Sequence, residues 1–249
     1  MAGILLVTGG GRGIGAATSV LAAKAGYSVA VNYLADSQAA ARLVAQITSA
    51  GGKAVAIQAD VSQSHEVSRM FDQVEHAFGP VTALVNSAGI TGRSSRLDAA
   101  SDETILSTIA TNVNGTIFTC REAIRRMSPK HGGSGGVIVN LTSAAATLGS
   151  PGEYTWYAAS KGAIDSLTIG LGREVAEENI RVVAVSPGLT ETDIHARSTG
   201  EPGRVKRMSP MIPLQRAGTA EEIAQTILFA LSDAASYITA TTLRVAGGR

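Results

Sequence analysis

Short runs of β-branched residues and leucine recur along the chain: "ILLVT" from Ile4, "SVAVNY" from Ser28, "KAVAIQ" from Lys53, "TALVN" from Thr82, "GVIVNLT" from Gly136, "RVVAVS" from Arg181 and "TTLRVA" from Thr241. They are continuously apolar rather than alternating, the pattern of strands buried on both faces. Between them lie longer stretches whose apolar residues return at helical spacing, such as "SVLAAKAGY" from Ser19 and "EEIAQTILFALS" from Glu221. This alternation predicts seven strands and about six helices in an α/β chain. The expected architecture is one doubly wound domain over residues 1–249, a seven-stranded parallel sheet with helices on both faces. No repeat or interdomain linker interrupts it, and "HGGSGG" from His131 is only long enough to turn a helix into the next strand. From Gly188 to about Gly218 no period is visible; in a compact domain such a stretch is expected to be a binding loop or lid.

Composition removes several function classes. Lys and Arg total 21 against 20 Asp and Glu, a net charge of +1, which gives no global field for a polyanion; nucleic acid is not an expected partner. Cys120 is the single cysteine, so no internal disulfide forms, no Cys/His set has metal-ligand spacing, and a reducing cytoplasm is the expected location. His195 near Glu191 and Asp193 lacks a further fixed ligand and is not read as a metal site. The apolar run at Ile4 breaks at Gly9, too early for a secretory signal, and no apolar stretch is long enough for a membrane span.

Candidate chemistry begins at "TGGGRGIGAA" from Thr8, where glycines crowd the first strand-to-helix turn. Such a turn lets backbone approach a pyrophosphate, whose charge is held by amides at the helix N-terminus. The bland alternative is a tight turn without a ligand. A second cluster is "YTWYAASKG" from Tyr154. Tyr157 and Lys161 stand one helical turn apart on one face, and an ammonium beside a phenol favours the phenolate, which suits acid–base work. Tyr154 lacks a lysine at that spacing. A solvated pair is the alternative reading. Ser143 in "VNLTSAA" ends a strand at the carboxyl edge of the sheet and offers a hydroxyl to a substrate oxygen. Asn112, Asn114 and Gly115 are poor helix formers in a helical stretch, marking a functional distortion or a tolerated weak spot.

Taken together, these motifs resemble the classical short-chain dehydrogenase/reductase family over essentially the full chain. Thr8, Gly9, Gly13 and Gly15 look like its T-G-x-x-x-G-x-G, "NSAG" from Asn86 its N-N-A-G, "NVNG" from Asn112 its N-x-x-G, and "YAASK" from Tyr157 its Y-x-x-x-K. Ser87 departs from the usual second Asn and Thr190 from a common Ile. The resemblance implies a catalytic tetrad of Asn112, Ser143, Tyr157 and Lys161: Tyr157 the general acid/base, Ser143 orienting the carbonyl, Lys161 lowering the tyrosine pKa and holding the ribose, Asn112 supporting a proton relay. It also implies cofactor contacts from Thr8, Gly9, Arg12, Gly13, Ile14 and Gly15, from Asn32 and Tyr33, from Asp60 and Val61 at the adenine, from Asn86, Ala88 and Gly89, and from Pro187, Gly188, Thr190 and Thr192, besides Tyr157 and Lys161 themselves.

Cofactor choice is read from the end of the second strand. An acid there selects NAD by binding the ribose 2′-OH, but Asn32 and Tyr33 are neutral and Asp36 lies beyond. Arg12 in the turn offers a guanidinium to a 2′-phosphate. NADP(H) is therefore preferred, with NAD(H) use possible. The expected substrate is a small-molecule carbonyl or secondary alcohol, with ketoacyl-carrier-protein reductase-like and glucose dehydrogenase-like members as the two nearest analogies and a non-catalytic nucleotide sensor as the alternative. The basic residues of the rim, Arg93, Arg96, Arg197, Arg204, Lys206 and Arg207, are read as solvated, with an anionic substrate as the other reading. The family resemblance suggests a homotetramer, built through the small-residue helix of Tyr157 and the C-terminal edge strand.

Overall fold

The computed structural model describes residues 3–201 and 203–249, without the side chains of residues 195–197. His195 and Arg197 therefore lie outside the described side chains. The strands are β1 Ile4–Thr8, β2 Ser28–Tyr33, β3 Lys53–Gln58, β4 Ala83–Asn86, β5 Gly136–Leu141, β6 Ile180–Pro187 and β7 Thr241–Val245. The α-helices are α1 Gly13–Lys24, α2 Ser37–Ser49, α3 Ser64–Phe78, α4 Asp102–Ile109, α5 Gly115–Met127, α6 Ala145–Leu148, α7 Thr155–Glu174, α8 Ile194–Thr199, α9 Arg204–Met208 and α10 Ala220–Leu231. The strands form one parallel sheet in the order β3-β2-β1-β4-β5-β6-β7, paired for example as Val7 with Val31 and Val85 with Val139. Order reverses between β1 and β4, and ligands of such sheets bind outside the carboxyl ends of the strands at that crevice.

The period of two along each strand divides the core in two. Leu5, Val7, Val29, Val31, Val85 and Val139 face α1, α2 and α10, where Leu43, Ile47, Ile223 and Ile227 meet them. Leu6, Ala30, Leu84 and Ile138 face the opposite layer of α3 and α5, against Met70, Phe71, Val74 and Met127. Each such side chain contributes about 1.5–3 kcal/mol by leaving water, so the sheet is a stiff platform for the loops at its carboxyl edge. No helix among the described residues is long and apolar enough to cross a membrane.

Two segments depart from the periodicity. After α4 the helix widens into a π-turn over Ala110–Asn114 and resumes as α5, so the poor helix formers do mark a distortion. The stretch from Gly188 to Gly218, expected as one irregular loop, holds α8, α9 and a 3₁₀ turn at Ser209–Met211. These helices are too short for a sequence period to register. Backbone bonds from Gly218 to Leu189 and from Glu191 to Gly218 close the stretch at its base.

Candidate active site

The glycine turn is pinned from two sides. Asn32 accepts from the Gly9 amide at 3.1 Å, and Thr8 Oγ1 accepts from Ser87 and Ala88 at 3.1 Å each. Gly9 and Gly13 take φ of +60° and +52°, conformations an L side chain rarely adopts. Gly15 permits close packing, since a Cβ there would lie 2.5 Å from the Gly9 carbonyl oxygen. No side chain caps α1 and no acid sits in its first turn, which leaves an electropositive helix end suited to a phosphate. Arg12 is exposed at the N-cap, and Ile14 packs on the core layer beneath. Across the crevice, Thr192 comes 3.4 Å from where a Cβ on Gly13 would be. The segment after β6, from Pro187 through Gly188, Thr190 and Thr192, thus abuts the turn.

Other cofactor candidates divide. Asp60 folds back on the Ser62 amide at 2.9 Å, and Val61 is buried against Gly115. Asn32 is 2 % exposed, and its amide donates to the Ala59 carbonyl at 3.0 Å. Its side chain is built into the sheet, while neighbouring Tyr33 is half-buried and packs against the core layer of α1 and α2. Asp36 caps α2 by accepting from Ala39 at 3.0 Å. Asn86 also turns inward, donating to Asn140 at 2.9 Å and accepting from Thr119 at 2.7 Å. Asn32 spends its amide on the glycine turn and β3, and Asn86 on side chains of α5 and β5. The tails of β4 converge on the tetrad instead, because a Cβ on Gly89 would lie 3.3 Å from Asn112 Oδ1 and 3.6 Å from Lys161 Nζ.

All four tetrad residues assemble at this edge. Asn112, fully buried in the π-turn, accepts from the Ile90 amide at 2.9 Å and donates to the Ile90 carbonyl at 2.8 Å and Ser160 Oγ at 3.0 Å. The π-turn is what aims this amide at the β4 loop. Ser143 accepts from the Ala145 amide at 3.1 Å, and its hydroxyl lies near enough to Tyr157 to favour the phenolate. Lys161 is buried, and its Nζ donates to the Leu141 carbonyl at 2.7 Å. Burial pushes the ammonium down to about 8. Nζ stands over the Tyr157 ring, 5.8 Å from its centroid, so the two side chains share one face of α7 while the ammonium's hydrogen bond goes to Leu141. Burial dominates at Tyr157 and pushes its phenol up to about 12, against the lowering effect of Ser143.

Some site residues were invisible in the sequence. Ser160 bridges Asn112 to the Tyr157 carbonyl, to which it donates at 2.7 Å. Arg204, read as a solvated rim cation, is 4 % exposed. It forms an ion pair with Glu153 and donates to Tyr154 Oη at 2.8 Å. Tyr154 therefore does have a cationic partner, supplied from 50 residues away, a distance no local spacing rule detects. Arg93, Arg96, Lys206 and Arg207 are exposed, with Arg96 paired to Asp98 and Arg207 to Glu201.

Comparison with known proteins bears on the family and the fold. Residues 9–249 match the family model described as enoyl-(acyl carrier protein) reductase. The chain is 52% identical over 246 residues to an uncharacterized oxidoreductase, YgfF, of Escherichia coli strain K12, covering 99% of each. It is 38% identical to a 3-oxoacyl-[acyl-carrier-protein] reductase of Synechocystis, covering 98% of this chain and 96% of that protein. Among solved structures, a short chain dehydrogenase from Burkholderia cenocepacia in complex with NADP superposes with a TM-score of 0.90 at 34% identity, covering 98% of this chain and 96% of the other.

Proposed function

The chain belongs to the classical short-chain dehydrogenase/reductase family of oxidoreductases, and on that premise we propose that it is an NADP(H)-preferring enzyme that moves a hydride between the nicotinamide and a carbonyl or secondary alcohol. The observation that carries this reading is Tyr157, with Ser143 placed to act on its phenol and buried Lys161 over its ring, at the crevice edge shared with the glycine turn. The positive φ at Gly9 and Gly13 and the uncapped start of α1 fit a dinucleotide pyrophosphate. Thr8, Gly9, Arg12, Gly13, Ile14 and Gly15 would hold it, with Tyr33, Asp60, Val61, Ala88 and Gly89 toward the adenosine end and the segment from Pro187 to Thr192 toward the nicotinamide. When bound there, the nicotinamide supplies or takes up the hydride.

In the reductive direction Tyr157, neutral at pH 7, gives its proton to the carbonyl oxygen. Ser143 donates to the same oxygen and holds it near the phenol. Lys161, with ammonium protons left after its bond to Leu141, would hold the ribose and keeps positive charge beside the tyrosine as its proton departs. Asn112 holds the β4 loop to the π-turn. NADP(H) preference is supported by exposed Arg12 and by the absence of an acid at the end of β2. The cytoplasmic assignment rests on the single cysteine and on the family. The chain is read as one Rossmann domain whose segment 188–218 closes over the substrate.

A homotetramer is the proposed assembly. Ala159, Ala163, Ser166 and Gly170 form an exposed stripe of small residues along α7, while Ala158 belongs to the core. β7 leaves the sheet edge unpaired among the described residues, beside fully exposed Tyr237.

A panel of ketones, aldehydes, 3-oxo thioesters and sugars, run with NADPH and NADH, tests the activity. Turnover faster with NADPH is the expected result. Saturable NADPH binding with no turnover across the panel would instead favour a nucleotide sensor.

A further inference from the structure

The segment that borders the substrate end of the crevice is anchored by one buried cation. We propose that Arg204 is a positioning and specificity-determining residue: by gripping Glu153 and Tyr154 it fixes α9 against the first turn of α7 and so sets both the substrate wall and the attitude of Tyr157. The inference rests on the carbonyl reductase reading above.

Arg204 opens α9, and its guanidinium forks. One arm meets Glu153 Oε1; the other donates to Glu153 Oε2 at 2.7 Å and to Tyr154 Oη at 2.8 Å. A planar fork can make these bonds together, whereas a lysine ammonium, a point charge on a flexible stem, cannot reproduce them. The guanidinium also lies 5.7 Å from the Tyr154 ring centroid. Tyr154, itself 7 % exposed, stands edge-on to Tyr157, with centroids 5.5 Å apart and planes at 87°. A continuous path therefore runs from α9 through one aromatic ring to the acid–base group.

Two further rim segments close on the same junction. Ser95 donates to the Glu153 carbonyl at 2.8 Å and Ser94 to the Ser198 carbonyl at 2.9 Å. Trp156 Nε1 donates to the Thr91 carbonyl at 2.8 Å. Thr91–Ser95, Glu153–Trp156, Ser198 and α9 thus meet in one wall, in which Arg204 supplies the charged tether of α9. Its Nε is buried without a hydrogen-bond partner. A guanidinium buried with one nitrogen unsatisfied, paired to a carboxylate that is one-third exposed, is a poor device for stability. Geometry is what it secures. Loss of the fork frees α9 and removes the restraint on Tyr154, which changes the space offered to a substrate before it changes the nucleotide site.

The test compares Arg204→Ala, Arg204→Lys, Glu153→Gln and Tyr154→Phe with the unaltered protein, measuring amide hydrogen exchange over residues 194–208, emission of Trp156, the sole tryptophan, NADPH affinity, and kcat and KM for the best carbonyl of the panel. Arg204→Ala and Glu153→Gln are expected to speed exchange of that segment by roughly tenfold or more, as for local opening. Trp156 emission should shift, and KM should rise by roughly 10- to 100-fold with NADPH affinity kept, the scale of a misplaced positioning contact. Arg204→Lys should fall between. Tyr154→Phe keeps the ring and the fold, so it should show a smaller change of the same kind even if a charge variant fails to fold. Unchanged exchange and KM would overturn the proposal, as would NADPH affinity, kcat and stability declining together, the mark of a merely structural residue. If the unaltered protein reduces no carbonyl, the functional reading fails, while exchange and Trp156 emission still decide whether Arg204 holds the wall.

Discussion

Replacing Lys161 by methionine should abolish turnover and yet remove a burden on the fold. The ammonium is buried, and burial lowers its pKa from an ordinary 10.5 to about 8. At about 1.4 kcal/mol per pH unit that difference is roughly 3 kcal/mol of preference for the neutral amine. Because the folded pKa lies below the unfolded one, the unfolded chain keeps a proton that the folded state releases between pH 8 and 10.5. Stability therefore rises with pH across that window, and below pH 8 the full penalty is in place. Methionine removes the charge but leaves the Leu141 carbonyl without its 2.7 Å donor, a loss of about 1–3 kcal/mol. The two terms nearly offset near pH 7, where the variant should be as stable as the original or up to about 2 kcal/mol more so. Their pH dependence separates them: the original protein gains about 2 kcal/mol on moving from pH 8 to 10, and Lys161→Met lacks that gain. Urea unfolding followed by circular dichroism at fixed protomer concentration measures both profiles. Readings stop at pH 10, because Tyr157, raised to about 12, contributes stability that fades above its unfolded value. Parallel profiles for the two proteins would show that Lys161 is not held as a penalised buried cation.

Gly15→Ala would put a Cβ 2.5 Å from the Gly9 carbonyl oxygen and 3.0 Å from Gly10 Cα; the turn must shift, and an overpacking term of about 1–3 kcal/mol predicts NADPH binding weaker by roughly 10- to 100-fold in a fluorescence titration. Unchanged affinity would mean the turn does not carry the pyrophosphate. Arg12→Ala should weaken NADPH more than NADH, whereas equal weakening would dissociate Arg12 from the 2′-phosphate. Tyr33→Asp should move preference toward NADH, since an acid at the strand end repels a phosphate and accepts from a ribose hydroxyl. An unmoved NADPH/NADH ratio of kcat/KM would place the ribose elsewhere.

Apolar runs such as "ILLVT" and "GVIVNLT" made the parallel sheet legible, because strands covered on both faces need no polar alternation. Gly9, Gly13 and Gly15 were legible for a related reason: positive φ and close backbone approach leave few other residue types possible. Helical spacing brought Tyr157 and Lys161 to one face, but not how their ends would be used. The preference of Lys161 Nζ for the Leu141 carbonyl depends on where β5 ends beside α7, a tertiary fact. Asn32 was legible as a neutral residue at the strand end, but not its direction, inward to Gly9 and Ala59, which the pleat decides. Arg204 was the least legible, since it meets Glu153 and Tyr154, 50 residues earlier, only once the segment after β6 has turned through α8. Charged residues in an aperiodic stretch read as solvated until the partner that buries them is known.

The claim that Tyr157 is the acid–base group of a carbonyl reductase is tested most directly by Tyr157→Phe, which keeps the ring against Tyr154 and removes only the transferable proton. With NADPH and the best carbonyl of the panel, turnover is expected to fall by roughly 10²- to 10⁴-fold while NADPH affinity and the unfolding midpoint stay in place. Turnover near that of the unaltered protein would contradict the account.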